Sequence, residues 1–325
     1  MCLNSPIGGY FEIETNNFGS LFHDKAIAVN SGRNALELIL RNMTIDKIYI
    51  PYYICDVILE PIKKKGVEYA FYHLDDKFYP LTDSIKKKDA LLYVNYFGIF
   101  SRNVKELSEK YNNLIIDNTQ AFFSEHLRGT YSFYSPRKFF GVPDGGFAYI
   151  NKDLDTDLEI DKSYERVSHL LKRVEDGPEK GYQNFRENDA KLANLPIRKM
   201  SMLTNKLLKN INYEKCRKIR NENFTYLHEK LKKDNELRDI INDTIIDGPM
   251  VYPYLNKNND NLRNFLIKNK TFVAKYWPNI PKWVDNKNSV EAYLYNYLIP
   301  LPIDQRYDNN DMKIIVERVK NGQNN

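Results

Sequence analysis

The chain has 325 residues, 42% hydrophobic and 13% aromatic, which is enough for a sizeable core in one large domain with a smaller one beside it. Its 48 lysines and arginines against 43 acidic residues leave a formal charge of +5. That charge is spread along the chain, which argues against a nucleic-acid stripe and leaves a mild field that favours a phosphorylated small molecule. Cys2, Cys55 and Cys216 and the five scattered histidines lack disulfide or metal-ligand spacing. With no run of about 18 apolar residues and no basic-then-apolar leader, a reducing cytoplasm is expected.

"NALELILRNM" (34–43) places Leu36, Ile39, Leu40 and Met43 at helical spacing and predicts an amphipathic helix. "KIYI" (47–50) is a β-rich run closed by Pro51. "VILEPIKKKG" (57–66) reads as a second helix, with lysines at its negative end and Gly66 as the stop. "VEYAFYHL" (67–74) and "ALLYVNYF" (90–97) read as strands. "NVKELSEKY" (103–111) reads as a helix with Val104, Leu107 and Tyr111 on one face, and "LIID" (114–117) as a buried strand. This alternation predicts an α/β fold with a mostly parallel sheet covered on both faces. Ligands of such sheets bind beyond the carboxyl ends of the strands, which directs attention to Ser31–Arg33, Asp117 and Lys138. Past residue 150 the texture changes: 151–180 is highly charged and 186–232 mainly helical. "MVYPYL" (250–255), "TFVAKYW" (271–277) and "YLIPLPI" (297–303) are separated by helical stretches and suggest a small α/β unit. We expect a large domain over 1–208 and a smaller one over 209–325.

Three short words carry chemistry. "NSGRNAL" (30–36) sets Ser31 and Gly32 at a helix start, where free amides make either a phosphate site or an ordinary N-cap. "LIIDNTQA" (114–121) ends a buried strand in Asp117, with Gln120 three residues on. A carboxylate there either caps a helix or pairs with a cation such as a protonated pyridine nitrogen. "SFYSPRKFFGVPDGG" (132–146) holds Lys138 beside Arg137. Lys138 is either a solvated lysine or one held to form a Schiff base.

In this order the three words resemble the DegT–DnrJ–StrS family of aminotransferases. "IGGYFEIE" (7–14), "IYIPYYICDVILEPIKKKG" (48–66) and "VNYFG" (94–98) extend the similarity through most of the chain. In "KFFGVPDGG", Asp144, Gly145 and Gly146 follow Lys138 at the family's distances. The resemblance implies an aspartate-aminotransferase-like fold of type I and pyridoxal 5'-phosphate as cofactor. Lys138 is then the covalent and proton-shuttling residue, Asp117 the partner of the pyridinium nitrogen, and Gln120 that of the phenolic oxygen. Ser31, Gly32, Arg33 and either Ser132 or Ser135 would hold the phosphate, with Asn184 donated by the partner of a homodimer. Tyr10, Asn95 and Arg306 are implied or candidate substrate contacts; for Arg306 the competing reading is a structural ion pair.

The chain departs from the family pattern at three points. Arg33 stands where the family has threonine. Cys55 takes the place of the aromatic residue that stacks on the cofactor ring, so either Tyr52 or Tyr53 replaces it or the ring packs on a smaller group. The interval from Asp117 to Lys138 is short. The expected activity is transfer of an amino group, from glutamate, to a keto sugar linked to a nucleotide, for surface polysaccharide or a modified sugar. The rivals are a small phosphorylated ketone or cyclitol as acceptor, or a non-catalytic relative of the same fold.

Overall fold

The computed structural model describes residues 12–15, 19–82, 85–151, 157–258 and 261–323. Strand and helix alternate through the first half: β1 (Ile27–Val29), α1 (Gly32–Asn42), β2 (Lys47–Pro51), α2 (Leu59–Lys65), β3 (Glu68–Leu74) and the short β4 (Pro80–Leu81). There follow β5 (Ala90–Val94), α3 (Ser101–Lys110), β6 (Leu114–Asp117), β7 (Tyr131–Tyr134) and β8 (Gly146–Tyr149). Helix α1 starts where Ser31 Oγ accepts from the Asn34 amide at 3.1 Å, a cap worth about 1 kcal/mol. The four apolar residues of its predicted stripe are all buried. Gly66 ends α2 with φ +70°, a left-handed conformation that favours glycine.

The strands form one eight-stranded sheet in the order β1-β8-β7-β6-β5-β2-β3-β4. The pairings of β7 with β6, β6 with β5, β5 with β2 and β2 with β3 are parallel. Strand β8 is antiparallel to both β7 and β1, so β1 runs with the majority. This direction has a consequence for position. The loops leaving β1, β2, β6 and β7 all emerge on one edge, and they carry Ser31, Cys55, Asp117 and Lys138 respectively.

The second half is mainly helical: α4 (Ser168–Asp176), α5 (Pro178–Lys191), α6 (Met202–Lys209), α7 (Tyr213–Leu231) and α8 (Arg238–Asn242). It ends in β9 (Val251–Leu255), α9 (Leu262–Lys268), α10 (Ile280–Trp283), α11 (Val290–Tyr297), β10 (Leu298–Pro302) and α12 (Asn309–Gln323). Strands β9 and β10 pair antiparallel as a separate two-stranded sheet, against which α7 packs; α7 also packs on α12. The division expected at 208/209 falls in the last turn of α6. Of the three runs noted past residue 250, 271–277 forms no strand. Strands β9 and β10 satisfy each other, and the 271–277 chain runs along a cavity instead, contributing Phe272, Ala274, Tyr276 and Trp277 to its wall.

Candidate functional site

The last residue of β6 is Asp117, 5% exposed. Its Oδ1 accepts from the Thr119 amide at 2.9 Å. Burial pushes this carboxyl up, while the charge of Lys138 and the hydrogen bonds from Thr119 oppose the rise. Lys138 closes the single 3₁₀ turn after β7 (Pro136–Lys138) and opens onto the cavity. Its Nζ donates to Thr119 Oγ1 at 2.8 Å. Thr119 therefore links the lysine to the carboxylate. Gln120 is buried beside them, and its Oε1 accepts from the Phe97 amide at 2.8 Å. That bond fixes the orientation of the amide and leaves its NH2 group as the end free to donate.

These residues line one cavity of about 620 Å³. Ser31, Gly32, Arg33, Ser135 and Arg137 line the same cavity. A Cβ placed on Gly32 would lie 3.5 Å from Ser135 Cβ and 3.8 Å from its Oγ, so the helix start and this serine are neighbours. The glycine pair explains how they meet. Gly145 donates its amide to Asn30 O at 2.9 Å, and a Cβ on Gly146 would fall 2.2 Å from Ser31 O. Only a residue without a side chain lets β8 approach α1 so closely. Asp144 is fully buried and accepts from Ser201 Oγ at 3.0 Å, from Thr204 Oγ1 and from Arg166 at 3.2 Å, so it anchors the turn and does not face the cavity.

The other expected residues divide. Ser132 does not reach the cavity: it is fully buried on β7, with its Oγ 2.8 Å from His126 Nδ1. Of the two serines the structure brings Ser135 to the site, because the strand's alternation turns Ser132 to the face against His126. Cys55 lines the cavity, its thiol pushed up by burial. Tyr53 does not line it; it is sealed in the core edge-on to Trp277. Tyr52 stacks on Phe71. Asn95 is buried away from the cavity and spends its amide on Asn118, Ser124, Ser101 and the Phe100 amide. Asn184, on α5, accepts from Lys172 Nζ at 2.9 Å, outside its own chain's cavity. Arg306 lines the cavity mouth and forms a two-point ion pair with Asp304 at 2.6 and 2.8 Å. Tyr10 lies outside the described residues.

Residues that sequence reasoning passed over complete the walls. Thr119 stood unremarked inside "DNTQA". Asp189 and Phe185 come from α5, and Tyr276 and Trp277 from the strandless 271–277 run. Arg220 of α7, 1% exposed, donates to Pro249 O at 3.0 Å, Met250 O at 3.2 Å and Phe139 O at 3.3 Å. Gln305 Nε2 donates to the same Phe139 carbonyl at 2.8 Å. The carbonyl of Phe139, the residue after Lys138, is thus held by two side chains from the C-terminal half. No signal in the sequence marks either one. Among the described residues no group of three or more His, Cys, Asp or Glu is placed to hold a metal ion, and no helix is long and apolar enough to cross a membrane.

No family model matches the chain, and no curated protein matches it by sequence. Solved structures do. Sugar aminotransferase CalS13 from Micromonospora echinospora is similar over 92% of this chain and 88% of its own, at 14% identity and a TM-score of 0.64. The DegT DnrJ EryC1 StrS aminotransferase from Brucella abortus is similar over 92% and 86%, at 14% identity and a TM-score of 0.60. Spr1654 from Streptococcus pneumoniae in its PLP-form is similar over 92% and 87%, at 15% identity and a TM-score of 0.63. The fold is that of the type I aminotransferases: a mostly parallel central sheet between helices, followed by a smaller α/β unit.

Proposed function

We propose that the chain is a pyridoxal-phosphate-dependent aminotransferase of the DegT–DnrJ–StrS kind, moving an amino group from glutamate to a nucleotide-linked keto sugar. The observation that carries the reading is the meeting of Lys138 and buried Asp117 through Thr119, in one cavity at the carboxyl ends of parallel strands. The residues present fit the cofactor. A buried carboxylate pushed up by its surroundings calls for a cation, and a ring nitrogen that carries a proton is one. The same cavity offers a helix start, a serine and two arginines to a phosphate. Bound there, pyridoxal phosphate supplies the electron sink that makes a proton next to an amino group removable.

The chain's own residues supply the rest. Asp117 keeps the ring nitrogen protonated. The NH2 of Gln120, freed by the bond of its Oε1 to Phe97, donates to the phenolic oxygen. Lys138 holds the cofactor covalently and, once released, moves the proton, with Thr119 Oγ1 steering its Nζ. Cys55 gives the ring a smaller neighbour than an aromatic group would. In this reading the enzyme is a cytoplasmic homodimer, Asn184 turns from Lys172 to the partner's phosphate, and Arg306 faces the acceptor.

Purified protein supplied with pyridoxal phosphate should be yellow. Borohydride reduction followed by peptide mapping should place the label on Lys138. Protein that stays colourless and takes up no label overturns the reading. Adding candidate keto compounds to the amino form of the cofactor, and following its spectrum, tests the acceptor. Reversion by small phosphorylated ketones alone would remove the nucleotide sugar.

A further inference from the structure

Two guanidinium groups converge at the end of the cavity that holds Ser31, Gly32 and Ser135. Arg33 has the carboxylates of Glu60 and Asp189 at 3.7 and 3.9 Å, beyond hydrogen-bonding distance, and its Nε is buried without a hydrogen bond. Leaving donors of a buried charged group unmade costs about 1–3 kcal/mol. Arg137 donates to Asp189 Oδ1 at 3.0 Å. Burial pushes its guanidinium down and the like charge of Arg33 adds to this, against the pull of Asp189. One carboxylate is therefore shared by two buried arginines, and one of them is left short of acceptors.

We propose that Arg33 and Arg137 form a clamp for the doubly charged phosphate monoester of the cofactor, and that Asp189 is the competing carboxylate that sets how tightly the clamp holds it. The inference rests on the cofactor reading above. A phosphate dianion brings two charges and three oxygens to planar donor forks that Asp189 meets with one charge and one hydrogen bond. The amides at the start of α1 favour the same anion. Of the two neighbouring carboxylates, Asp189 is the one free to yield. Glu60 is also tied to Lys64 at 3.2 Å and to the Asn194 amide at 2.7 Å. The Asp189 side chain is 48% exposed and its ion pairs are those with the two arginines, so water can receive it.

Calorimetric titration of the cofactor-free full chain with inorganic phosphate tests this. Asp189→Asn, which keeps the shape and removes the charge, should bind phosphate several-fold more tightly than the wild type. Arg33→Thr should bind it roughly tenfold more weakly. Arg137→Lys, which keeps a charge but loses the fork, should also weaken it. Unchanged or weaker binding by Asp189→Asn overturns the competition. Unchanged binding by Arg33→Thr or by Arg137→Lys overturns the clamp. Borohydride labelling with pyridoxal phosphate is read separately. Failure to label Lys138, with phosphate affinities shifting as expected, removes the cofactor reading and leaves the clamp. Normal labelling with flat phosphate affinities removes the clamp and leaves the cofactor.

Discussion

The two walls of the cavity are built on different principles. One wall is the sheet edge, where Asp117, Thr119, Gln120 and Lys138 stand at the ends of β6 and β7, and Thr119 joins Lys138 to Asp117 through hydrogen bonds of 2.8 and 2.9 Å. The other is assembled from the C-terminal half: Arg220 from α7, the 271–277 run, and Pro300 to Arg306 around the end of β10. The first wall carries reactive groups on a rigid frame. The second carries shape, and it also grips the first, because Arg220 and Gln305 share the Phe139 carbonyl next to Lys138. Chemistry can be written in a few contiguous residues, whereas the surface that selects a substrate depends on how a second unit packs.

The largest expected effect is on the sheet-edge wall. On the proposed function, Lys138→Ala removes the group that would hold and move the proton, and should slow reaction with glutamate, the proposed donor, by about 10³-fold or more. Stopped-flow absorbance of the bound cofactor measures it. Stability should hardly change, since the lysine is open to the cavity and gives up one hydrogen bond, to Thr119 Oγ1. If the variant kept its rate, the first wall would not be the reactive one.

Arg220→Met tests the second wall and should have the opposite profile. It leaves the Pro249 and Met250 carbonyls without this donor, removes one of the two donors to Phe139 O, and breaks the packing of the guanidinium over the Phe139 ring, 4.5 Å from its centroid. A loss of about 3–5 kcal/mol is expected in denaturant unfolding. Gln305→Leu removes one of the two donors to Phe139 O and the acceptor that Arg220 Nε meets at 2.9 Å, and should cost about 1–3 kcal/mol. If Arg220→Met were as stable as the wild type, the grip between the walls would be incidental.

The same contrast explains what could be read without coordinates. Parallel strands, the amphipathic α1 and the strand-end position of Asp117 follow from local periodicity, which survives in one sequence. Lys138 and Asp144–Gly146 stood out through their spacing in the family resemblance, and the structure gives the physical reason for the glycine at 146: a Cβ there would strike Ser31 O. The choice between Ser132 and Ser135 was not, because an extra residue in "SFYSPRK" shifts the spacing, and the way each side chain faces emerges only once β7 pairs. Asn95 stood as a substrate-contact candidate in "VNYFG" but is consumed by long-range bonds to Asn118 and Ser124. Arg220 and Asp189 gave no local signal at all. Their partners are distant in the chain: Arg220 bonds Phe139 and Gln305, 81 and 85 residues away, and Asp189 pairs with Arg137, 52 residues away, and with the still more distant Arg33.

The smallest effect, and the one that separates the roles within the first wall, concerns Asp117. Its carboxyl is pushed above the ordinary value of 3.8 by burial, so the folded chain binds this proton more tightly than the unfolded chain does. The resulting penalty is absent below 3.8, grows as pH rises from there to the raised folded value, and stays constant above it. Asp144 contributes in the same direction, so the slope of the wild type alone does not isolate either group. Asp117→Asn does: in cofactor-free protein it should flatten the fall in stability across that window and leave the variant slightly more stable at neutral pH. With pyridoxal phosphate bound the order should reverse, because the ionised carboxylate then has a cation that asparagine cannot match. Denaturant unfolding at several pH values, with and without the cofactor, reads both. A variant that gained as much stability from the cofactor as the wild type would mean that Asp117 does not pair with the ring nitrogen, whatever Lys138 does beside it.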